Sequence, residues 1–325
     1  TQTFRLDYYV KKPIDYQTIF ERITSGSGLR ALSRSCRVSH HAIVNRLGRL
    51  ARQAIAVHAE LFPLLSLRED LVTDGFESFV QSQYQPNNIH LLVGSRSQFL
   101  YTYDYAHLRR KGRMSEYQKK ERTRREQEYI RTPVSISTSF RRIIDTFIEL
   151  MNRGGVFEPV ALISDEKKEY QQVIEGEKLL QEQREAGRFL HRTISSRRPR
   201  TTRNPLFAVN YFDREIRKDN ANHVRETVSF SRDVNNCLER MAVYQMYHNY
   251  FKPYRVDDQE KSRLCHGEVA GIDRERIDRE LETIFDVRRF YSQVKLSSSQ
   301  LLIWARMVGN RDRFSGGYWP KYVWM

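Results

Sequence analysis

Strand-like and helix-like segments alternate through the middle of the chain, and this alternation restricts the fold more than any other feature. Apolar residues that recur at every second position predict strands, whereas apolar residues three and four apart predict helices. Strands are predicted over 70–81, 89–94, 98–105, 160–165 and 206–212. Helices are predicted over 140–152, 166–187 and 220–250. A chain in which both kinds of segment alternate folds as a mixed α/β domain.

The order of these segments makes the expected fold more specific. The second and third strands are joined by a short polar turn at 95–97, which predicts a hairpin. Three strands are then followed by helix, strand, helix, strand and helix. This is the order of an RNase H-like domain, so we expect a mixed sheet with flanking helices over residues 66–255.

Two helical patterns with a break between them precede this region. They cover 28–37 and 40–53, and Ser39 is a suitable N-cap for the second helix. Together they predict an all-α helix-turn-helix domain over 1–65, whose second helix contacts DNA. The side chains expected to be exposed there for DNA binding are His40, His41, Asn45, Arg46 and Arg49. A basic helical hairpin without a recognition role is the alternative.

The chain is strongly basic. It has 55 Lys and Arg residues against 40 Asp and Glu residues, a net charge of +15. Such a protein is expected to bind a polyanion, most often nucleic acid. No apolar run approaches the roughly 20 residues of a membrane-spanning helix, so no membrane partner is expected. The three widely spaced cysteines predict neither a disulfide framework nor a metal cluster, and they favour a reducing compartment.

Two polar segments interrupt the predicted α/β domain. Residues 106–136 carry basic residues and Glu at helical intervals, which predicts a solvated helical insertion. Residues 188–204 contain six arginines and no acidic residue. This segment is either a flexible basic linker or a segment that binds phosphates. Its candidate DNA-binding residues are Arg197, Arg198 and Arg200.

A C-terminal helical and aromatic region follows over 256–325. Its tryptophans are Trp304, Trp319 and Trp324. They could pack at an oligomer interface, but packing in the core is favoured.

Three acidic residues are the candidate catalytic residues. Asp74 belongs to the first strand and Asp165 ends the fourth, and sites in open sheets form at strand ends. Glu226 is predicted to lie on the helix after the fifth strand. Three carboxylates that converge in this way can hold the two divalent ions that phosphodiester cleavage uses. We therefore expect Asp74, Asp165 and Glu226 to bind two Mg²⁺ ions, with Mn²⁺ able to substitute.

Other acidic residues leave alternatives open. Asp70 precedes the apolar run of the first strand, and Asp104 could add a fourth carboxylate. Glu239 is an alternative third acid, although its apolar neighbours favour a core position. His223 would share a helical face with Glu226, and a structural role for it is favoured over contact with a phosphate. Because 40 acidic residues always contain some ordered trio, only the strand and helix context distinguishes the candidates.

Several short motifs resemble those of the DDE transposases of bacterial insertion sequences, over about residues 15–275. They are the helix-turn-helix pattern at 28–50, TDGFESF at 73–79, ISDE at 163–166, NHVRET at 222–227, YHNYFKP at 247–253 and CHGEVAGI at 265–272. The resemblance implies binding to double-stranded DNA at terminal inverted repeats and at a target, with Mg²⁺-dependent cleavage and strand transfer. It implies a homodimer or larger assembly in the bacterial cytoplasm, with Asp74, Asp165 and Glu226 as metal ligands.

Many transposases of this kind carry a cysteine-rich zinc module before the helix-turn-helix. The sequence starts without Met and has no cysteine at that position, so we expect the module to have preceded residue 1 or to be missing from this lineage. Two other functions remain open. One is a catalytically inactive, domesticated, sequence-specific DNA-binding protein, and the other is a different RNase H-like nuclease.

Overall fold

The computed structural model describes residues 4–128, 134–153, 159–224, 227–255 and 264–308. These residues form a mixed α/β fold around a five-stranded sheet, as the alternation of segments predicts. None of the helices within these ranges is long and apolar enough to cross a membrane.

A central strand organises the sheet. The strands are β1 (Leu71–Phe79), β2 (Pro86–Gly94), β3 (Leu100–His107), β4 (Val160–Ser164) and β5 (Phe189–Thr193). Their order is β3-β2-β1-β4-β5; β1, β2 and β3 pair antiparallel, and β1, β4 and β5 pair parallel. The register of β1 and β4 aligns Val72 with Ile163. Continued for two residues, it brings Asp74 opposite Asp165.

Helices surround this sheet. Three precede it: α1 (Tyr16–Thr24), α2 (Leu29–Ser35) and α3 (His40–Leu61). Four connect its strands: α4 (Glu116–Glu128), α5 (Ile136–Asn152), α6 (Lys168–Glu175) and α7 (Lys178–Glu185). The helices after the last strand are α8 (Phe207–Asp219), α9 (Val234–Met246), α10 (His266–Val269), α11 (Arg274–Leu281) and α12 (Ser298–Trp304). A π-helical turn, Tyr247–Phe251, extends α9.

The helix α3 begins where the sequence predicts but is longer. Ser39 caps it, because its Oγ accepts a hydrogen bond from the Ala42 amide at 3.2 Å. The predicted end at Gln53 is wrong, since the helix continues to Leu61. Consecutive residues from Gln53 to Ala59 are buried, and this half of α3 packs against α9. Burial in the core therefore extends the helix beyond its amphipathic part.

The helices α5 and α8 cover opposite faces of the sheet. His90 in β2 lies against α5, with its Nδ1 2.8 Å from the Ser139 hydroxyl. His90 is opposite Gly75 in β1, so the next residue, Phe76, points to the other face. There the Arg217 guanidinium of α8 lies over the Phe76 ring, 4.5 Å from its centre. Asp74 shares the face of Phe76 and thus faces α8.

Two predictions about the fifth strand are wrong. Residues 207–212 belong to α8, because buried Ala208, Val209, Phe212 and Ile216 form one apolar stripe at helical spacing. The fifth strand is β5, which lies inside the predicted basic linker 188–204. It is an edge strand in which only Phe189 is fully buried, so its apolar pattern is weak, and pairing with β4 stabilises it.

Other predicted helices differ in their limits. The helix predicted over 220–250 begins at Val234, where the Asp233 carboxylate accepts the amides of Asn235 and Asn236. The charged helix predicted over 166–187 is two helices, interrupted at Gly176. Helix α4 has no buried residue, as the charge pattern predicts for a solvated helix. Trp304 is buried, which confirms core packing, whereas Trp319 and Trp324 lie outside the described residues.

Candidate active site

Asp74 and Asp165 lie side by side on neighbouring parallel strands. Asp74 is in β1, and Asp165 directly follows β4. Their side chains are 19% and 13% exposed. The Gly75 amide donates to Asp74 Oδ1 at 2.6 Å, and the Lys167 amide donates to Asp165 Oδ1 at 3.3 Å. The structure thus brings together two of the three predicted carboxylates.

The Lys167 ammonium lies between these carboxylates. Its Nζ is 3.3 Å from Asp74 Oδ1, 3.3 Å from Asp165 Oδ2 and 3.3 Å from the Tyr170 hydroxyl. Burial lowers the pKa of Lys167, but Tyr170, Asp74 and Asp165 raise it above its ordinary value. One cation is therefore shared by two carboxylates. Nothing in the sequence pattern singled out Lys167, although it comes two residues after Asp165.

Asp213 in α8 is a third carboxylate near this pair. Asp213 lies one helical turn before Arg217, whose guanidinium covers the Phe76 ring. Asp74 lies two residues before Phe76 and therefore on the same face of β1. Asp213 Oδ1 is buried and has no hydrogen-bond partner among the described residues. A buried oxygen of this kind needs a donor or a cation. The predicted strand over 206–212 concealed its position on a helix.

The environment of Asp213 favours its protonated form. Burial, followed by the charge of Asp74, raises its pKa to about 8, although Arg217, Arg200 and Lys167 act in the opposite direction. Burial likewise raises the pKa of Asp165. Several carboxylates thus share a region with too little positive charge to ionise all of them easily. Such crowding is typical of sites that bind a cation.

The pKa of Asp213 predicts a pH-dependent stability effect. The pKa of Asp213 is about 8 in the folded protein, against the ordinary 3.8. The stability that the folded protein gains from protonated Asp213 is therefore fully present below pH 4 and is lost as the pH rises to 8. Asp213→Asn, which stays neutral, should therefore raise the Tm of metal-free protein at pH 9 by about 2–4 °C or more. At pH 4 the two proteins should melt alike. Thermal unfolding in EDTA across this range measures it, and a pH-independent difference would contradict the assignment.

The described residues do not hold a preformed metal-binding group of three or more His, Cys, Asp or Glu side chains. In that region the cation between Asp74 and Asp165 is the Lys167 ammonium. The donor atoms nevertheless suit Mg²⁺, which prefers hard carboxylate oxygens. The unpartnered Oδ1 of Asp213 offers one such oxygen.

Glu226 lies outside the described residues, so its role as the third carboxylate stays a prediction. His223 is buried, with its Nδ1 2.9 Å from the Ser78 hydroxyl and its Nε2 3.9 Å from Cys237 Sγ. Its ring packs edge-on against Phe76. Burial lowers its pKa to about 3, so it is neutral. These contacts support the structural role favoured for His223.

The alternative acids have other partners. Asp104 pairs with Arg142 of α5 at 3.1 Å and therefore lies on the face of the sheet away from Asp74. Asp70 Oδ1 accepts the Ala161 amide at 2.9 Å. Glu239 is 3.3 Å from Arg306. Each of these acids supports the local structure around it.

The predicted DNA-binding residues of α3 differ in exposure. The exposed ones are His40, His41 and Asn45. The predicted exposure of Arg46 is wrong, because Arg46 is 5% exposed and donates to the backbone oxygens of Ala42 and Lys12. Arg49 is half-buried and donates to Leu6 and Tyr8 oxygens at 2.6 and 3.2 Å. The N-terminal segment covers this part of the helix.

This difference predicts distinct effects of neighbouring substitutions. Arg46→Ala should lower the free energy of unfolding by roughly 1–3 kcal/mol, because it removes charged hydrogen bonds to the Ala42 and Lys12 backbone oxygens. Asn45→Ala, on the exposed side, should change it by less than about 0.5 kcal/mol. Urea unfolding of both variants tests the contrast. Equal decreases in the free energy of unfolding for the two variants would show that Arg46 does not stabilise the packing of the N-terminal segment.

The arginine-rich segment passes close to the carboxylates. Glu166 directly follows Asp165, and its Oε1 accepts hydrogen bonds from the hydroxyls of Ser195 and Ser196 at 3.4 Å. Arg200 is near enough to lower the pKa of Asp213. In the described structure Arg197, Arg198 and Arg200 are exposed, and none of them makes an ion pair. A basic surface therefore borders the carboxylate site.

The sequence matches no protein-family model, and no curated protein is significantly similar to it.

Proposed function

We propose that the protein is a metal-dependent DNA transposase with an RNase H-like catalytic domain. The observation that supports this best is the pair formed by Asp74 in β1 and Asp165 directly after the parallel strand β4, with the half-buried Asp213 of α8 over the same face. The sheet order β3-β2-β1-β4-β5 is the one expected of an RNase H-like domain. Carboxylates within one strand, at the end of its neighbour and on a covering helix suit phosphodiester chemistry.

In this proposal Asp74, Asp165 and Asp213 hold Mg²⁺, as two ions that Mn²⁺ can replace. When bound, the ions activate the attacking oxygen and stabilise the leaving oxygen. Lys167 balances one of the two negative charges of Asp74 and Asp165. Its flexible stem allows the ammonium to turn toward a DNA phosphate instead.

Basic and polar surfaces near the site support double-stranded DNA as the substrate. His40, His41 and Asn45 are exposed at the start of α3, where a recognition helix contacts bases. Arg197, Arg198 and Arg200 offer sequence-independent phosphate contacts beside Asp213. The substrates would be inverted-repeat ends and target DNA. The homodimer or larger assembly and the bacterial cytoplasm remain expectations from the resemblance.

A catalytically inactive DNA-binding protein is the second candidate. The observation that favours it is Lys167, whose ammonium occupies the space between Asp74 and Asp165 where a metal ion would be expected. A permanent pairing of this kind would stabilise the fold without catalysis.

One experiment separates these functions. The protein is incubated with a plasmid that carries its gene and the flanking DNA, in Mg²⁺, Mn²⁺ or EDTA. Cleavage near the gene ends with either metal but not in EDTA supports the transposase. Specific binding without cleavage under all conditions supports the inactive protein. Neither binding nor cleavage contradicts both candidates.

A further inference from the structure

A basic cleft lies between the N-terminal helices and the segment that precedes α9. Its volume is about 230 Å³. Arg30 and Arg34 of α2 and His40 of α3 form one wall, while Arg232 and Arg240 belong to the other. Among the residues that the structure describes, no Asp or Glu lines this cleft. Cations from separate parts of the chain therefore meet without a balancing negative charge.

The electrostatic effect on His40 confirms that these groups are close together. Burial lowers the pKa of His40, and the charges of Arg30, Arg232 and Arg240, followed by His41, lower it further. The three arginines come from α2, from the segment before α9 and from α9 itself. Gathering like charges in this way destabilises the folded protein unless an anion binds between them.

The arginines of the cleft differ from those elsewhere in the fold. Arg124, Arg142 and Arg289 pair with acidic residues at 2.5–3.1 Å. Within the described ranges, no ion pair is formed by any of Arg30, Arg34, Arg232 and Arg240. Their charge is thus available to a ligand.

Arg240 gives the cleft a buried donor that points to a ligand. The residue is only 4% exposed, and its Nη1 donates to Asn222 Oδ1 at 2.8 Å. Its Nε is buried and has no partner in the described part of the chain. A buried charged N–H without an acceptor is costly, so such groups normally have one. An oxyanion in the cleft would supply it.

We propose that this cleft binds a phosphodiester group of the DNA backbone. The inference rests on the proposed DNA-binding function and adds a specific contact to it. Arginines bind phosphate oxygens through paired, charge-assisted hydrogen bonds, and Arg30 and Arg232 are exposed on the two walls of the cleft, beside the buried charge of Arg240. The cleft lies where α3 begins, next to the exposed His40. A phosphate held here would set the register in which α3 meets the bases.

A matched pair of double variants tests this proposal. Arg30→Gln/Arg232→Gln removes one exposed charge from each wall and leaves the buried Arg240 in place. Arg276→Gln/Arg279→Gln removes two exposed charges from α11, which does not line the cleft. The measurement is the binding of a fluorescent random-sequence DNA duplex across a series of KCl concentrations. Equal Tm values for the two variants establish that both are folded.

The expected result is a weaker salt dependence for the cleft variant, with a slope smaller by about 0.9 for each phosphate that the protein no longer neutralises. The α11 variant should keep the wild-type slope. Equal slope changes in both variants would overturn the proposal, because they would reflect net charge alone.

Further outcomes distinguish inorganic phosphate from DNA phosphate as the ligand of the cleft. They also distinguish failure of the cleft proposal from failure of the proposed DNA-binding function. If inorganic phosphate raises the Tm of the wild type but not of the cleft variant, while duplex binding is the same for both, the cleft is a free-phosphate site and the proposal is overturned. If the wild type binds the duplex and the cleft variant keeps its slope, only the cleft inference fails. If the wild type does not bind the duplex, the proposed function fails with it.

Discussion

Asp74→Asn and Asp165→Asn are each expected to lower the rate of Mg²⁺-dependent DNA cleavage on the order of 1,000-fold. Each change keeps the shape of the side chain and removes one of two adjacent carboxylate charges. Losing the several kcal/mol of charge stabilisation that a bound metal provides corresponds to this factor, at about 1.4 kcal/mol for each tenfold change in rate. The measurement is the initial rate of plasmid nicking at saturating Mg²⁺.

Glu166→Gln is the matched control for this result. Glu166 is adjacent to Asp165, but it is exposed and accepts hydrogen bonds from Ser195 and Ser196. This variant should cleave within a few-fold of the wild type, and all three variants should bind duplex DNA. Cleavage within a few-fold of the wild type by either Asp variant would reject that residue as a metal ligand.

Asp213→Asn is expected to reduce cleavage about as strongly, on the order of 1,000-fold. It removes the carboxylate with the buried, unpartnered Oδ1 beside Asp74. Because the pKa of Asp213 is raised to about 8, a metal ion must displace its proton at neutral pH. The Mg²⁺ concentration that gives half-maximal cleavage should therefore fall as the pH rises from 7 to 9. Titration of the cleavage rate with Mg²⁺ at several pH values measures this.

Glu226→Gln in the same assay decides between the two candidate third acids. The sequence predicts that this change abolishes cleavage, whereas the position of Asp213 predicts activity within a few-fold of the wild type. Loss of activity in Glu226→Gln together with normal activity in Asp213→Asn would contradict the assignment of Asp213. Loss in both variants would mean that both acids contribute.

Short-range patterns in the sequence predicted some features well. The N-cap at Ser39 and the strand that ends before Asp165 depend on neighbouring residues, and both occur as predicted. The amphipathic helix predicted over 140–152 occurs as α5, which buries Ile143, Phe147 and Leu150. Each of these features follows from backbone capping or from the period of the apolar residues, which a local window contains.

Other features depend on packing between distant segments. A short apolar run such as 206–212 fits both a strand and a helix, and contact with β1 and β2 decides for the helix. That choice determines the position of Asp213. The exposure of Arg46 depends on the N-terminal segment that covers it. No residue near Arg46 in the sequence predicts this contact.

The sequence by itself therefore determined the α/β class, the basic character, the place of Asp74 within the first strand and that of Asp165 at the end of a strand, because periodicity and charge are local properties. Only the tertiary structure decided that Lys167 lies between these carboxylates, that Asp213 lies over them and that four arginines meet in one cleft. These juxtapositions join segments far apart in the chain. Strand register and helix packing determine these juxtapositions, and both depend on contacts across the whole core rather than on any local segment.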